Sequence, residues 1–263
     1  MLAKSDKHAS ASPAANAHPN PDQKSLKMIL PLGRGRIGKS FWSRWLIDRT
    51  RSQGRTLVIA DADRRNPCLT PYFDGVLTPS GDDELSSLDW FSAISSRQIE
   101  EQSSALVDLG PDAFPLTAVD SLLVPFLEDV GIQRVAVHLI GPHRDDLAFL
   151  RDLEAGGLFA PEATIIVLNK GLVASNRDPE RAFQSVLSHQ TFKAAIKRGA
   201  VPVWMPWLEP ASEVEDNYLS LSEAEAGGST ADLPPLGFFS TERIAIWRSA
   251  MESAFAPVMP WLT

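Results

Sequence analysis

Between Gly33 and Ser40 the chain reads Gly33-Arg34-Gly35-Arg36-Ile37-Gly38-Lys39-Ser40, three glycines followed by a lysine and a hydroxyl. The spacing G-x-x-x-x-G-K-S is that of a phosphate-binding loop. Glycines let successive backbone N–H groups turn inward toward phosphate oxygens. Lys39 supplies a point charge for the β- and γ-phosphates, and the Ser40 hydroxyl is placed to ligate Mg²⁺. A glycine turn that merely precedes a Lys-Ser helix start would show the same letters, so the flanking elements decide. Here an apolar strand, Lys27-Met-Ile-Leu-Pro-Leu32, stands before the loop, and a helix carrying Phe41, Trp42, Trp45, Leu46 and Ile47 follows. That helix would add its positive end to the same anion site.

Two further acidic stretches suit the same chemistry. Thr56–Ala60 forms a second apolar strand and ends in Asp61-Ala62-Asp63. One of these carboxylates could join the Mg²⁺ shell and the other orient a water; a polar strand-end turn uses the same residues. Ala105-Leu106-Val107-Asp108-Leu109-Gly110-Pro111 then delivers Asp108 as a metal-linked aspartate at the end of a third strand. Later, Glu162–Leu168 runs into Asn169-Lys170-Gly171-Leu172. A guanine reader would want an acid two residues after the lysine; Leu172 stands there, which favours adenine.

The elements that must position these groups alternate. Helices are expected over 84–102, 116–129, 145–154 and 179–198, and strands over 132–140 and 200–206, His138 being a buried core histidine. A last helix spans 241–255, with Ile244, Trp247, Met251 and Phe255 on one side. The fold class is α/β: a doubly wound, mostly parallel sheet with a P-loop after the first strand, a P-loop NTPase. Residues 1–25, rich in Ala, Ser, Pro and Asn, are expected to be a disordered arm, His8 and His18 in it being solvated. Residues 26–263 are read as one nucleotide-binding domain with an acidic, mobile loop near 209–237.

The totals bound the rest. With 263 residues the chain can bury a sizeable core. The net charge of −8 divides unevenly: residues 1–55 hold 11 Lys/Arg against 3 Asp/Glu, the remainder 14 against 30. An acidic body disfavours nonspecific DNA binding, and Lys193, Lys197 and Arg198 read as a solvated helix end. The single cysteine, Cys68, rules out an internal disulfide framework and suits a cytoplasmic protein. No apolar run is long enough for a membrane span, so no membrane association is expected.

The order of signals over 26–207 resembles the ParA/MinD family of ATPases, in the style of those encoded with plasmid partition, mobilisation and conjugal-transfer genes. The resemblance rests on Arg34–Ser40, on Asp61 and Asp63 as a first switch and on Asp108-Leu109-Gly110-Pro111 as a second. Asn169 stands where the family contacts adenine, and Pro206 after the last strand. It implies an ATP·Mg²⁺-dependent homodimer with slow hydrolysis and a protein partner. Gly33, Gly35, Arg36, Ile37, Gly38, Lys39, Ser40 and Phe41 would surround the phosphates, with Asn169 and Pro206 at the base. Ser40, Asp61 and Asp108 would serve the metal, and Lys39, Asp63 and Arg34 catalysis. Arg34 occupies the signature-lysine position that reaches the partner's phosphates, and Arg36 replaces a glycine; both departures favour binding over turnover. The competing expectations are an ATP-binding scaffold with little hydrolysis and a small-molecule kinase or ligase, for which His143-Arg144 is the available cluster.

Overall fold

The computed structural model describes residues 25–110, 114–229 and 234–262. Of the expected arm at 1–25, residues 1–24 lie outside the described residues, as does Pro111. A six-stranded sheet forms in the order β2-β3-β1-β4-β5-β6, every neighbouring pair parallel. Its strands are β1 (Lys27–Leu32), β2 (Val58–Asp61), β3 (Ala105–Asp108), β4 (Gln133–Ile140), β5 (Ala163–Asn169) and β6 (Val201–Met205). β1, β2 and β3 are buried along their whole length, which is why they read as unbroken apolar runs. The chain leaves β1 in one direction for β2 and β3 and then crosses to its other side for β4. Strand order therefore reverses at β1, and a crevice opens beyond the strands' carboxyl ends.

The helices are α1 (Lys39–Ser52), α2 (Glu84–Glu101), α3 (Phe114–Asp129), α4 (Ala148–Gly156), α5 (Pro179–Leu187), α6 (Gln190–Lys197), α7 (Ala211–Asp216), α8 (Leu221–Glu225), α9 (Phe238–Phe255) and α10 (Met259–Leu262). On one face of the sheet α1 and α9 pack Trp42, Trp45, Trp247, Met251 and Phe255 against Ile29, Val137, Ile165 and Val203. Ring centroids of Trp45 and Phe255 lie 4.8 Å apart, and those of Phe41 and Trp247 5.4 Å. These aromatic pairs fasten the last helix to the first, so α9 packs on the sheet as its pattern predicts. The opposite face is covered in two separate clusters. Trp90, Phe91, Val119 and Leu127 of α2 and α3 cover β1–β3, while Phe183, Val186 and Phe192 of α5 and α6 cover β5.

Two expectations are corrected. The acidic stretch near 209–237 is not a plain loop: it holds α7 and α8, and Val214, Leu219, Leu221 and Ala224 enter the α1–α9 core. Ser220 and Glu223 form a capping box that starts α8, a local signal hidden in an acidic, Ser-rich composition. The single helix expected over 179–198 breaks at Ser188-His189, where His189 Nδ1 accepts the Thr191 N–H at 3.2 Å and caps α6. Elsewhere the first turn of the 145–154 helix is a 3₁₀ turn, Arg144–Leu147, and α4 runs on to Gly156.

His138 of β4 is the buried histidine that its surroundings in sequence imply; neither ring nitrogen has a hydrogen-bond partner, and burial lowers its pKa from 6.5 to about 3. Between those values the unfolded chain holds more protons than the native one, so stability rises with pH. This contribution is fully present above 6.5 and is lost as the pH falls toward 3. Urea unfolding of the wild type from pH 6 to pH 5 should lose about 1.2 kcal/mol more than His138→Gln does. Equal losses would place the pH dependence elsewhere.

Candidate functional site

The loop between β1 and α1 is shaped by two glycines that no other residue could replace. Gly33 has φ 137°, and a Cβ there would stand 2.7 Å from the Leu139 carbonyl oxygen. Gly38 has φ 97°, and its Cβ would stand 2.6 Å from Asn169 Nδ2. Arg36 also adopts the left-handed region, at φ 61°, where an L side chain is strained. The bulk that the sequence places there is thus accommodated at a backbone cost. Arg36→Gly is expected to raise the unfolding free energy by about 1 kcal/mol in a denaturant titration. A destabilised variant would show that the Arg36 side chain earns its place through contacts.

The start of α1 is left open. Gly38 has no side chain to cap it, the first turn carries no acid, and the first intrahelical bond runs from the Trp42 N–H to the Gly38 carbonyl. The Lys39, Ser40 and Phe41 N–H groups face the helix end, the arrangement that holds an anion. Phe41 contributes only this backbone group: its ring is in the core against Trp247.

Lys39 curls over the loop, its Nζ donating to the Gly33 carbonyl at 2.9 Å and the Arg34 carbonyl at 3.2 Å. Burial lowers its pKa, and the carboxylates of Asp108 and Asp63 oppose that fall. Asp108 closes β3 with 1% exposure, and its Oδ1 accepts the Gly110 N–H at 3.0 Å. Burial pushes its carboxyl up to about 6; the Gly110 N–H pulls it back, Asp61 adds to the rise and Lys39 opposes it.

Asp61 faces Asp108 across β2 and β3. Its Oδ1 accepts the Asp63 N–H at 3.0 Å, and its Oδ2 accepts those of Cys68 at 2.9 Å and Leu69 at 3.0 Å. Asp61, expected among the metal ligands, roots the loop that follows β2. Asp63 Oδ1 accepts from the Arg65 and Asn66 N–H groups, forming a turn. A Cβ on Gly110 would meet the Asp63 Cβ at 3.3 Å, so the loops after β2 and β3 touch.

Sequence reasoning took Cys68 only as a sign of redox compartment. In the structure its Sγ lies 3.5 Å from Asp61 Oδ2 and 3.6 Å from Asp108 Oδ2, and it also hydrogen-bonds Ser40. Burial pushes the thiol pKa up, so it stays a neutral S–H. The only available signal was its place seven residues after Asp61.

Among the described residues no group of three His, Cys, Asp or Glu side chains could hold a metal ion by itself. Mg²⁺ suits such a site, since it keeps waters and takes phosphate oxygens beside one or two protein groups. The Ser40 hydroxyl and the buried Asp108 carboxylate, both beside the open end of α1, fit that role.

The remaining site residues are engaged within the chain. Arg34 Nε pairs with Asp146, whose side chain is buried on the 3₁₀ turn after β4, so its guanidinium is held in its own subunit. Asn169 Nδ2 donates to the Ile37 carbonyl at 3.0 Å and its Oδ1 accepts the Gly171 N–H at 2.9 Å. It therefore braces the phosphate loop. The Pro206 carbonyl accepts the Trp247 indole N–H at 2.9 Å, tying α9 to the end of β6. His143 caps the turn that holds Asp146, and both it and Arg144 are exposed. Among the described residues no helix is long and apolar enough to cross a membrane.

The sheet order and the loop after β1 make this a P-loop nucleotide-binding fold. No protein-family model matches the chain, and neither does any curated protein. Among solved structures it is similar to cell division protein FtsY from Thermotoga maritima at 13% identity and TM-score 0.43, covering 89% of this chain and 70% of that one. It is also similar to chloroplast FtsY from Physcomitrella patens at 13% identity and TM-score 0.44, covering 83% and 65%. A third is the signal recognition particle receptor FtsY from Elizabethkingia anophelis, at 11% identity and TM-score 0.43, covering 86% and 66%.

Proposed function

We propose that the chain binds a magnesium nucleoside triphosphate, ATP on the sequence reading, and acts as a slowly hydrolysing switch that dimerises with nucleotide. The observation that carries this reading is the meeting of Lys39, Ser40 and Asp108 at the uncapped start of α1. In this reading the first-turn N–H groups and Lys39 bind and neutralise the β- and γ-phosphates. Mg²⁺, when bound, offsets charge between those phosphates, with Ser40 and Asp108 as its protein groups. Asn169 keeps the loop in shape through the Ile37 carbonyl.

Slow turnover is supported by two engagements. Asp63, the group expected to orient water, has one carboxylate oxygen committed to its own turn. Arg34 must leave Asp146 before it can reach phosphates across a dimer interface. The same two observations favour the scaffold reading, in which nucleotide is bound and hydrolysis is negligible. A protein partner, and service in plasmid or DNA partition or mobile-element transfer, come from the ParA/MinD resemblance alone.

The test is sedimentation of the wild type and Lys39→Ala without nucleotide, with ADP·Mg²⁺ and with ATP·Mg²⁺, following phosphate release in the same samples. A dimer with ATP only, and slow release lost in Lys39→Ala, is the expected result. A dimer without release selects the scaffold. A monomer throughout sinks both and returns attention to the kinase reading.

A further inference from the structure

The polar side chains that end β5, Asn169 and Lys170, are engaged elsewhere. The Asn169 amide has its nitrogen on the Ile37 carbonyl and its oxygen on the Gly171 N–H, and the residue is 6% exposed. Lys170 Nζ sits 5.3 Å over the Trp204 ring and is drawn away along β6. Leu172 is 38% exposed and offers neither donor nor acceptor. Pro206 lacks an N–H, and its carbonyl is taken by Trp247. What this corner does present is an indole: Trp207, directly after Pro206, is 52% exposed.

Its position follows from two close approaches. A Cβ on Gly171 would lie 3.6 Å from Trp207 Cδ1, so the indole edge stands beside the turn that ends β5. That turn abuts the phosphate loop, because a Cβ on Gly38 would lie 2.6 Å from Asn169 Nδ2. Trp207 thus stands half exposed beside the turn that ends β5, and Asn169 of that turn abuts the loop proposed to hold the phosphates. An aromatic face takes any base, since every base has a π-face, whereas telling one purine from another needs donors and acceptors at its edge.

Resting on the nucleotide reading above, we propose that Trp207 is the platform on which the nucleobase stacks, and that the site holds purines by the face and so binds ATP and GTP with similar strength. On this proposal the adenine preference expected from Leu172 would not appear, since loss of an acidic guanine reader does not create an adenine reader. Trp207 also replaces Asn169 as the base contact, leaving Asn169 to position the loop.

The test is equilibrium competition binding to the full chain in Mg²⁺, with ATP, GTP and inorganic tripolyphosphate as the ligands. Wild type, Trp207→Ala and Trp207→Phe are compared; the side chain is half exposed, so neither change disturbs the core. ATP and GTP should bind within about threefold of each other, and Trp207→Ala should weaken both roughly ten- to hundredfold. Tripolyphosphate, which has no base, should bind all three proteins alike, and Trp207→Phe should restore most of the nucleotide affinity. Trp207→Ala leaving nucleotide affinity unchanged overturns the platform and leaves the phosphate-loop reading standing. So does a wild-type preference beyond about tenfold for one purine, which would require an edge reader. Uptake of none of the three ligands by the wild type overturns the nucleotide reading itself, and the platform with it.

Discussion

Lys39→Ala should weaken binding of a magnesium nucleoside triphosphate by about 3 kcal/mol, roughly two orders of magnitude in Kd, in isothermal titration. The effect is large because of what stays behind. Lys39 is the cation facing Asp108 and Asp63, and its amine bridges the Gly33 and Arg34 carbonyls across the loop. Without it a polyanion would meet two carboxylates, one of them buried, with no cation between them. Some stability should be lost as well, because the Gly33 carbonyl, which is buried, and the Arg34 carbonyl lose their donor. A Kd within about threefold of wild type would mean that the triphosphate is held elsewhere.

The second large effect is expected at a residue whose role is mechanical. Asp61 has no exposure, and its carboxylate gathers the N–H groups of Asp63, Cys68 and Leu69. Asp61→Ala removes one acceptor group and strands these donors at once, each costing about 1–3 kcal/mol where it stays buried. Urea unfolding should show a loss of at least about 3 kcal/mol. Nucleotide affinity should fall with it, since the loop rooted by Asp61 carries Cys68 to Ser40 and Asp108. Asp61→Asn, which keeps one carbonyl oxygen, should lose less. A change below about 1 kcal/mol for the alanine variant would show that the loop closes without the carboxylate.

These two residues mark where the sequence was readable. Lys39 follows from a local pattern: three glycines, a lysine and a serine within eight positions, between an apolar strand and an amphipathic helix. Asp61 and Asp108 were found as strand-end acids, yet their division of labour was not, because a carboxylate ending a buried strand looks the same whether it binds metal or backbone. The acidic stretch near 209–237 misled for a related reason. Its composition is that of a loop, and only Val214, Leu219, Leu221 and Ala224 meeting α1 and α9 make it helical and packed.

The chain's own letters therefore determined the order of strands, the doubly wound class and the phosphate loop. Each of these is written in residues adjacent in sequence, through hydrophobic period and the conformational demands of glycine. The tertiary structure decided which side chains were free to act. Asn169 reaches the Ile37 carbonyl across 132 positions, and Asp146 claims Arg34 from the far side of β4. Cys68 stands between Asp61 and Asp108 because β2 and β3 are neighbours, and Trp207 beside Gly171 because β5 and β6 are. Hydrogen bonds and ion pairs are local in space and indifferent to separation along the chain, so their partners become known only once the sheet has placed them.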